Sequence, residues 1–326
     1  MSWTIVGLLL AMFIQHESTA QHEPKAGPPA TNTEESVAGA PDAKPVLFYD
    51  NFESGNTSST NDTGFKWGQN NRTSVVTMDE QGPVVVWNNG KVSNRPTGKV
   101  NWQAHDGKHA LRFRYPAGEA MAEQRFDLGK ACPELWLRFW LKVPENFQHA
   151  SNGTRTNNKL LALWMDDYEF KGNGPTVVWQ FRRSGDGASQ NTVYHVATAV
   201  GQSQRHSGEH SGQVAPFVTV PDDRGKWMQV VFRVVAASDA QSRDGVIQMW
   251  RRWDKEDAFT QLFNITDAMT HIPEGGPAGF RYGYLLGWAN ASYTNTTEWL
   301  LDGFTVSEHS LLQMESNPKV DSEVRP

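Results

Sequence analysis

The chain has 326 residues and a formal charge of −6, with 38% hydrophobic and 11% aromatic residues. That length suits one large all-β domain of roughly 200–250 residues with flanking segments. Mild acidity without a Lys/Arg block argues against nucleic acid or an anionic membrane as a partner. Cys132 is the one cysteine, so no internal disulfide can form and a buried free thiol is expected.

Residues Ile5–Ile14 form an apolar run too short to span a bilayer, and Ser18-Thr19-Ala20 suits cleavage before Gln21. Residues 1–20 therefore read as a signal peptide, although Met1–Thr4 carries no Lys or Arg; an uncleaved N-terminal anchor is the alternative. Cleavage would remove only Glu17 among the formally charged residues and leave −5. A secreted, extracellular chain is implied (periplasmic if the source is bacterial), with no membrane contact beyond that peptide. Residues 21–45 are rich in Pro, Ala, Glu, Thr and Gly and read as a disordered linker. The domain runs over 46–310, and 311–326 reads as a flexible tail. Seven Asn-x-Ser/Thr sequons, at Asn56, Asn61, Asn71, Asn152, Asn264, Asn290 and Asn295, make a glycoprotein if the source glycosylates.

Within 46–310 the text is short alternating runs broken by Gly, Asn, Asp and Pro, with no internal repeat. Ala110–Tyr115 comes first, followed by Met121–Leu128, where Glu123 and Arg125 stand two apart on one face. In Leu135–Val143 the Leu, Phe and Val residues form one face, and Trp136, Arg138, Trp140 and Lys142 form the other. An apolar back and an aromatic, cationic front suit a sheet with a core behind it and a ligand before it. Asn158–Trp164, Val177–Arg182 and Thr192–Val196 follow, then Trp227–Ala236, Gly245–Trp250, Phe280–Gly287 and Trp299–Val306. The one helical signal is a short turn near Thr266–Thr270. Many strands without βαβ spacing predict an all-β jelly-roll sandwich of two antiparallel sheets. Thirteen Trp is high for this length, and rings on strands suit either sugar faces or a sandwich core.

Several of these runs resemble polysaccharide lyase family 14, which includes alginate and glucuronan lyases. Asn158-Lys159-Leu160-Leu161-Ala162-Leu163 resembles that family's Gly-Lys-Leu-Pro-Gly-Leu strand, with Leu161-Ala162 in place of Pro-Gly. Trp179–Gly187 resembles its arginine-bearing strand and turn, and Thr192-Val193-Tyr194-His195-Val196 its Tyr-x-Tyr strand. If Tyr194 is the second tyrosine, Thr192 stands in the first place; if the first, Val196 takes the second. Gly225-Lys226-Trp227 with Asp244–Trp250, Tyr284–Gly287 and Trp299–Phe304 resemble the later strands in the same order.

The resemblance implies a concanavalin A-like fold and β-elimination on an acidic, uronate-containing polysaccharide, with the polymer as partner and the protein a monomer. Lys159 and Arg182 would neutralise the carboxylate and Tyr194 would move the proton. An unperturbed Tyr titrates near ~10, so neighbouring cations would have to lower it. Glu123, Arg125, Trp136, Arg138, Trp140, Asn158, Gln180, His195, Tyr282 and Tyr284 would bind substrate. Tyr194 and His195 cannot both face one cleft, because neighbours on a strand point to opposite faces. The rival readings are a non-catalytic lectin on the same fold and a structural surface protein. A hydrolase would need two facing carboxylates. Asp166, Asp167 and Glu169 sit at an apparent strand end and do not supply that pattern. No cofactor is required; a structural Ca²⁺ held by Asp50, Glu53 and Asp302 is the metal expectation, helped by a carbonyl from the Asp106-Gly107 turn. His206 and His210 read as loop residues.

Overall fold

Alternation along one strand organises the sandwich. In Glu134–Lys142, strand β8 in chain order, Leu135, Leu137, Phe139 and Leu141 are at most 1% exposed and face inwards. Trp136, Arg138 and Trp140 take the opposite face, as residues one apart on a strand must. The computed structural model describes residues 46–86, 92–93, 95–149, 157–165, 176–184, 188–196, 203–207, 215–239, 241–270, 272 and 278–313.

Two antiparallel sheets form the domain. The ten-stranded sheet runs β15 (Thr260–Ala268), β14 (Gly245–Trp253), β13 (Trp227–Val235), β8, β17 (Thr297–Ser307), β6 (His109–Tyr115), β3 (Thr73–Asp79), β4 (Gly82–Val86) and β5 (Val92–Ser93), with β1 (Phe48–Asp50) paired to β17. The seven-stranded sheet runs β12 (Ser203–Ser207), β11 (Ala188–Val196), β10 (Val177–Ser184), β9 (Asn157–Trp164), β16 (Phe280–Trp288), β7 (Met121–Cys132) and β2 (Lys66–Asn71). The late strand β17 lies between β8 and β6, and β16 lies between β9 and β7, so both sheets are closed by chain returning from the C-terminal half. This is the predicted jelly-roll sandwich. No helix occurs among the described residues; the stretch expected to turn near Thr266 is the end of β15.

The core lies between the sheets and is aromatic. Trp179 of β10 meets Phe232 of β13 at 4.9 Å between ring centroids, and Phe126 of β7 meets Phe304 of β17 at 5.6 Å. Burying rings of this size is worth about 2–3 kcal/mol each, which lets the domain do without disulfides. Cys132 is buried and free, and burial pushes its thiol up to about 11. Leu311 is 4% exposed against Trp136 and Val231, and its carbonyl accepts a bond from Arg138.

No helix among the described residues is long and apolar enough to cross a membrane. Residues 1–45 and 314–326, which carry the signal-peptide, linker and most of the tail expectations, lie outside the described residues.

Candidate functional site

The outward face of the seven-stranded sheet carries Lys159, and a β-bulge puts it there. Leu163 pairs with Val177 and Leu161 with Trp179, all four in the core; the register then shifts so that Lys159, not Leu160, pairs with Gln180. Leu160 is the extra residue and is itself fully buried. Plain alternation from Leu161 would have turned Lys159 inwards; the inserted residue turns it out, a known effect of bulges on side-chain direction.

Lys159 Nζ donates to Gln180 Oε1 at 2.8 Å. Gln180 is 1% exposed, and its Nε2 has no hydrogen-bond partner among the described residues. Buried amide donors are normally satisfied, so an unmet one beside a cation suits an acceptor from outside the chain. Burial holds the Lys159 ammonium below the usual lysine range. Arg182 follows on the same face of β10, half-buried.

Around this pair lies a mixed floor. Ala162, Trp164, Val178 and Tyr284 form one cluster on the outward face, with Tyr282 packed against it. Trp164 and Tyr284 lie 5.4 Å apart between ring centroids, and the Arg281 guanidinium sits over the Tyr282 ring at 4.9 Å. Glu123 and Arg125 share a face as predicted and bond to each other at 2.6 Å. Arg125 is paired across the sheet with Tyr284. The register continues from Tyr284 through Ala162 and Val178 to Tyr194, so Tyr194 occupies the rung next to that of Lys159, Gln180 and Thr192. Two strand spacings of about 4.8 Å across and two residues of about 3.3 Å along put the backbone of Tyr194 roughly 12 Å from that of Lys159. Trp288, one of the Trp residues that the sequence places on strand-like runs, is 54% exposed and paired with Met121, two residues before Glu123.

Several expected contacts are not brought together. The backbone of His195 is paired with Val177, a core residue, and that of Tyr194 with Val178. Asn158 is 5% exposed, and its Oδ1 accepts the Tyr293 hydroxyl at 2.7 Å; the bulge that turns Lys159 out leaves Asn158 inside. Trp136, Arg138 and Trp140 stand on the outer face of the ten-stranded sheet, across the sandwich from Lys159. Trp136 stacks on Trp250 and Trp140 on His105, the latter at 3.7 Å. Alternation predicts their face within the strand but not which sheet the strand joins.

The three expected metal ligands also separate. Asp50 pairs with Phe304, a core residue, and turns inwards, where it accepts bonds from Trp67 Nε1 at 2.7 Å and the Phe52 amide. Asp302 lies on the outer side and accepts the His105 and Asp106 amides at 3.0 Å each. Gly303, in the left-handed region at φ 59°, shifts the register between them. Glu53 is engaged by the Lys108 and His109 amides. These residues do not fit a shared calcium site, and among the described residues no three His, Cys, Asp or Glu side chains form a metal-holding group. The carboxylates considered for hydrolysis, Asp166, Asp167 and Glu169, lie outside the described residues, as does His210.

A pocket of about 780 Å³ opens elsewhere, on the outer face of the ten-stranded sheet beside Arg112 and Arg114. Their two-apart spacing in Ala110–Tyr115 is the same signal that marks Glu123 and Arg125, and the sequence reading passes over it.

No family model matches the chain, and no curated protein matches it. Solved structures that resemble its fold include the alginate lyase Aly36B in complex with an alginate trisaccharide, at 14% identity, 62% of this chain, 82% of that chain and a TM-score of 0.43. The alginate lyase vAL-1 from Chlorella virus resembles it at 8% identity, 64% and 88% coverage and a TM-score of 0.35. Peanut lectin does so at 11% identity, 79% and 96% coverage and a TM-score of 0.37.

Proposed function

We propose that this chain is a secreted polysaccharide lyase that cleaves a uronate-containing polymer by β-elimination. The observation that carries the reading is the Lys159–Gln180 pair: a cation held in place by an amide oxygen, beside a buried amide N–H with no partner. A substrate carboxylate would accept from both. Neutralising that carboxylate makes the ring proton on the adjacent carbon acidic. The proton leaves to a base, the glycosidic C–O bond one carbon further breaks, and a C=C bond conjugated to the carboxylate forms. The leaving oxygen takes a proton. Tyr194 is the proton carrier in this reading, being on the neighbouring rung, and Arg182 supplies a second positive charge. Tyr282, Tyr284 and the Glu123–Arg125 pair would contact flanking sugars, and exposed Trp288 extends that surface.

The test is the ultraviolet absorbance of the purified protein incubated with alginate, glucuronan and other polyuronates, beside Lys159→Ala. A rise that the variant loses supports a lyase with Lys159 in its site. Binding of a polyuronate in gel retardation without any rise in absorbance would replace the enzyme with a lectin.

A further inference from the structure

We propose that the pocket beside Arg112 and Arg114 is a second glycan site, which takes an anionic sugar residue on the face of the sandwich opposite Lys159. Charge is the first argument. The chain is acidic overall at −6, yet Lys99, Arg112 and Arg114 line this pocket against only Glu145 and Glu298. Both carboxylates are already engaged. Glu298 lies 3.3 Å from Arg112 Nη1, 3.4 Å from Arg114 Nε and 2.9 Å from Trp102 Nε1. Glu145 lies 3.7 Å from the buried Lys142 ammonium and accepts from Asn101 Nδ2. Three cations against two carboxylates leave the lining positive, and the buried Lys142 behind Glu145 offsets that carboxylate.

The donors are also held ready. Arg112 stacks 4.6 Å above the buried Trp102 ring and gives its Nε and Nη2 protons to Ser74 Oγ. It is thereby fixed as a support rather than offered as a hand. Arg114 shares its face two residues on, lies 3.4 Å from Glu298 through Nε, and its side chain is 46% exposed. Both of its terminal nitrogens remain to grip an oxyanion, in the forked geometry that suits carboxylate or sulfate. Lys99 is exposed on the pocket wall and makes no ion pair among the described residues. Holding the cations before the ligand arrives reduces the ordering cost of binding.

Size and lining select the ligand class. About 780 Å³ is far more than an inorganic anion fills and lies within the ordinary range for small-ligand sites. Thr97, Asn101, Asn146 and Thr296 add hydroxyl and amide groups around the cations, which suits the hydroxyls of a sugar ring. Carboxylated and sulfated sugars present the same chemistry here. The proposal does not rest on lyase activity.

The experiment is calorimetric titration of the full chain carrying Lys159→Ala, which stops turnover. The probes are a polyuronate hexasaccharide, a sulfated galactan hexasaccharide, an uncharged hexasaccharide and inorganic sulfate. Lys99→Ala touches no partner and Arg114→Ala removes the projecting fork; each should weaken binding of one anionic hexasaccharide roughly tenfold, as loss of a charge-assisted contact does. The anionic probe that responds identifies carboxylate or sulfate as the recognised group, and the uncharged probe should not bind there. Unchanged affinity for both anionic probes in both variants overturns the site. Inorganic sulfate that binds as tightly as the hexasaccharides overturns the sugar assignment and leaves a simple anion trap.

Discussion

Lys159 Nζ lies 2.8 Å from Gln180 Oε1 because Leu160 takes an extra place in β9 and carries Lys159 to the outward face. The contact is costly for a merely structural feature. Burial lowers the Lys159 pKa, so its charge is less stable in the folded chain than in the unfolded one. The unfolded chain binds the proton more tightly, so this group's contribution to stability improves as pH rises towards 10.5.

Replacing both partners by apolar residues of similar shape should therefore leave stability intact while removing function. Lys159→Met with Gln180→Leu is expected to unfold within about 1 kcal/mol of the parent, or to be more stable, in urea titration. On the proposed lyase mechanism its rate should fall at least ~100-fold, as with the loss of other electrostatic donors to developing charge. Lys159→Met alone should be less stable than the double variant, because it strands the Gln180 oxygen. A double variant as active as the parent would remove this pair from the mechanism.

Gly283 stands on the inward rung of β16, between the outward Tyr282 and Tyr284, and lets that strand sit close to its neighbours. A Cβ there would lie 2.3 Å from the Phe126 ring and 2.8 Å from the Ala162 carbonyl oxygen. The ring belongs to the core and the carbonyl to backbone, so neither can step aside cheaply. Gly283→Ala should cost about 1–3 kcal/mol in chemical denaturation. The same change should lower lyase activity more than stability alone accounts for, because β16 lies between β9 and β7.

The strands were legible where one face is core and the other is not. In β8 the large apolar residues recur every second position and read directly as an inward face. Two things were not written there. One is sheet membership: β8 and β9 follow each other in sequence yet enter different sheets, so Trp136 and Trp140 sit across the sandwich from Lys159. The other is irregularity. The unbroken apolar run Leu160-Leu161-Ala162-Leu163 hides a bulge, which is why Asn158 is inside and Lys159 outside. At β17 the step at Gly303 likewise parts Asp302 from Asp50. Register and bulges depend on pairing partners distant in sequence, and period-two patterns carry no record of them.

Asp50 illustrates the consequence for the metal expectation. Its carboxylate accepts Trp67 Nε1 and the Phe52 amide inside the sandwich, so its work is to satisfy buried donors. Asp50→Ala should destabilise by about 2–3 kcal/mol, since it strands both donors. That loss should be the same in millimolar Ca²⁺ and in EDTA when melting is followed by circular dichroism. A calcium-dependent loss would restore Asp50 as a ligand.

Asp302 should make the domain sensitive to pH in a window that can be stated. Burial, with the Asp106 carboxylate beside it, raises its carboxyl from 3.8 to about 7, and the His105, Asp106 and Gly303 amides only partly oppose this. Its Oδ1 is buried with no hydrogen-bond partner. His105, Asp106 and Tyr49 are the titratable neighbours on that face, and Asp254 pairs with His105 at 2.9 Å. The folded chain holds the proton more tightly than the unfolded one, so the sign runs against the usual carboxylate. Stability from this group is fully present below pH 3.8 and is lost as pH rises to about 7. Asp302→Asn keeps an oxygen for the two amides and cannot ionise. Its stability relative to the parent should be near zero at acid pH, grow between about pH 4 and 7, and level off above that at about 4 kcal/mol. Urea titrations across that range decide it. A difference that stays flat with pH would mean that Asp302 ionises at its ordinary value and that water reaches Oδ1.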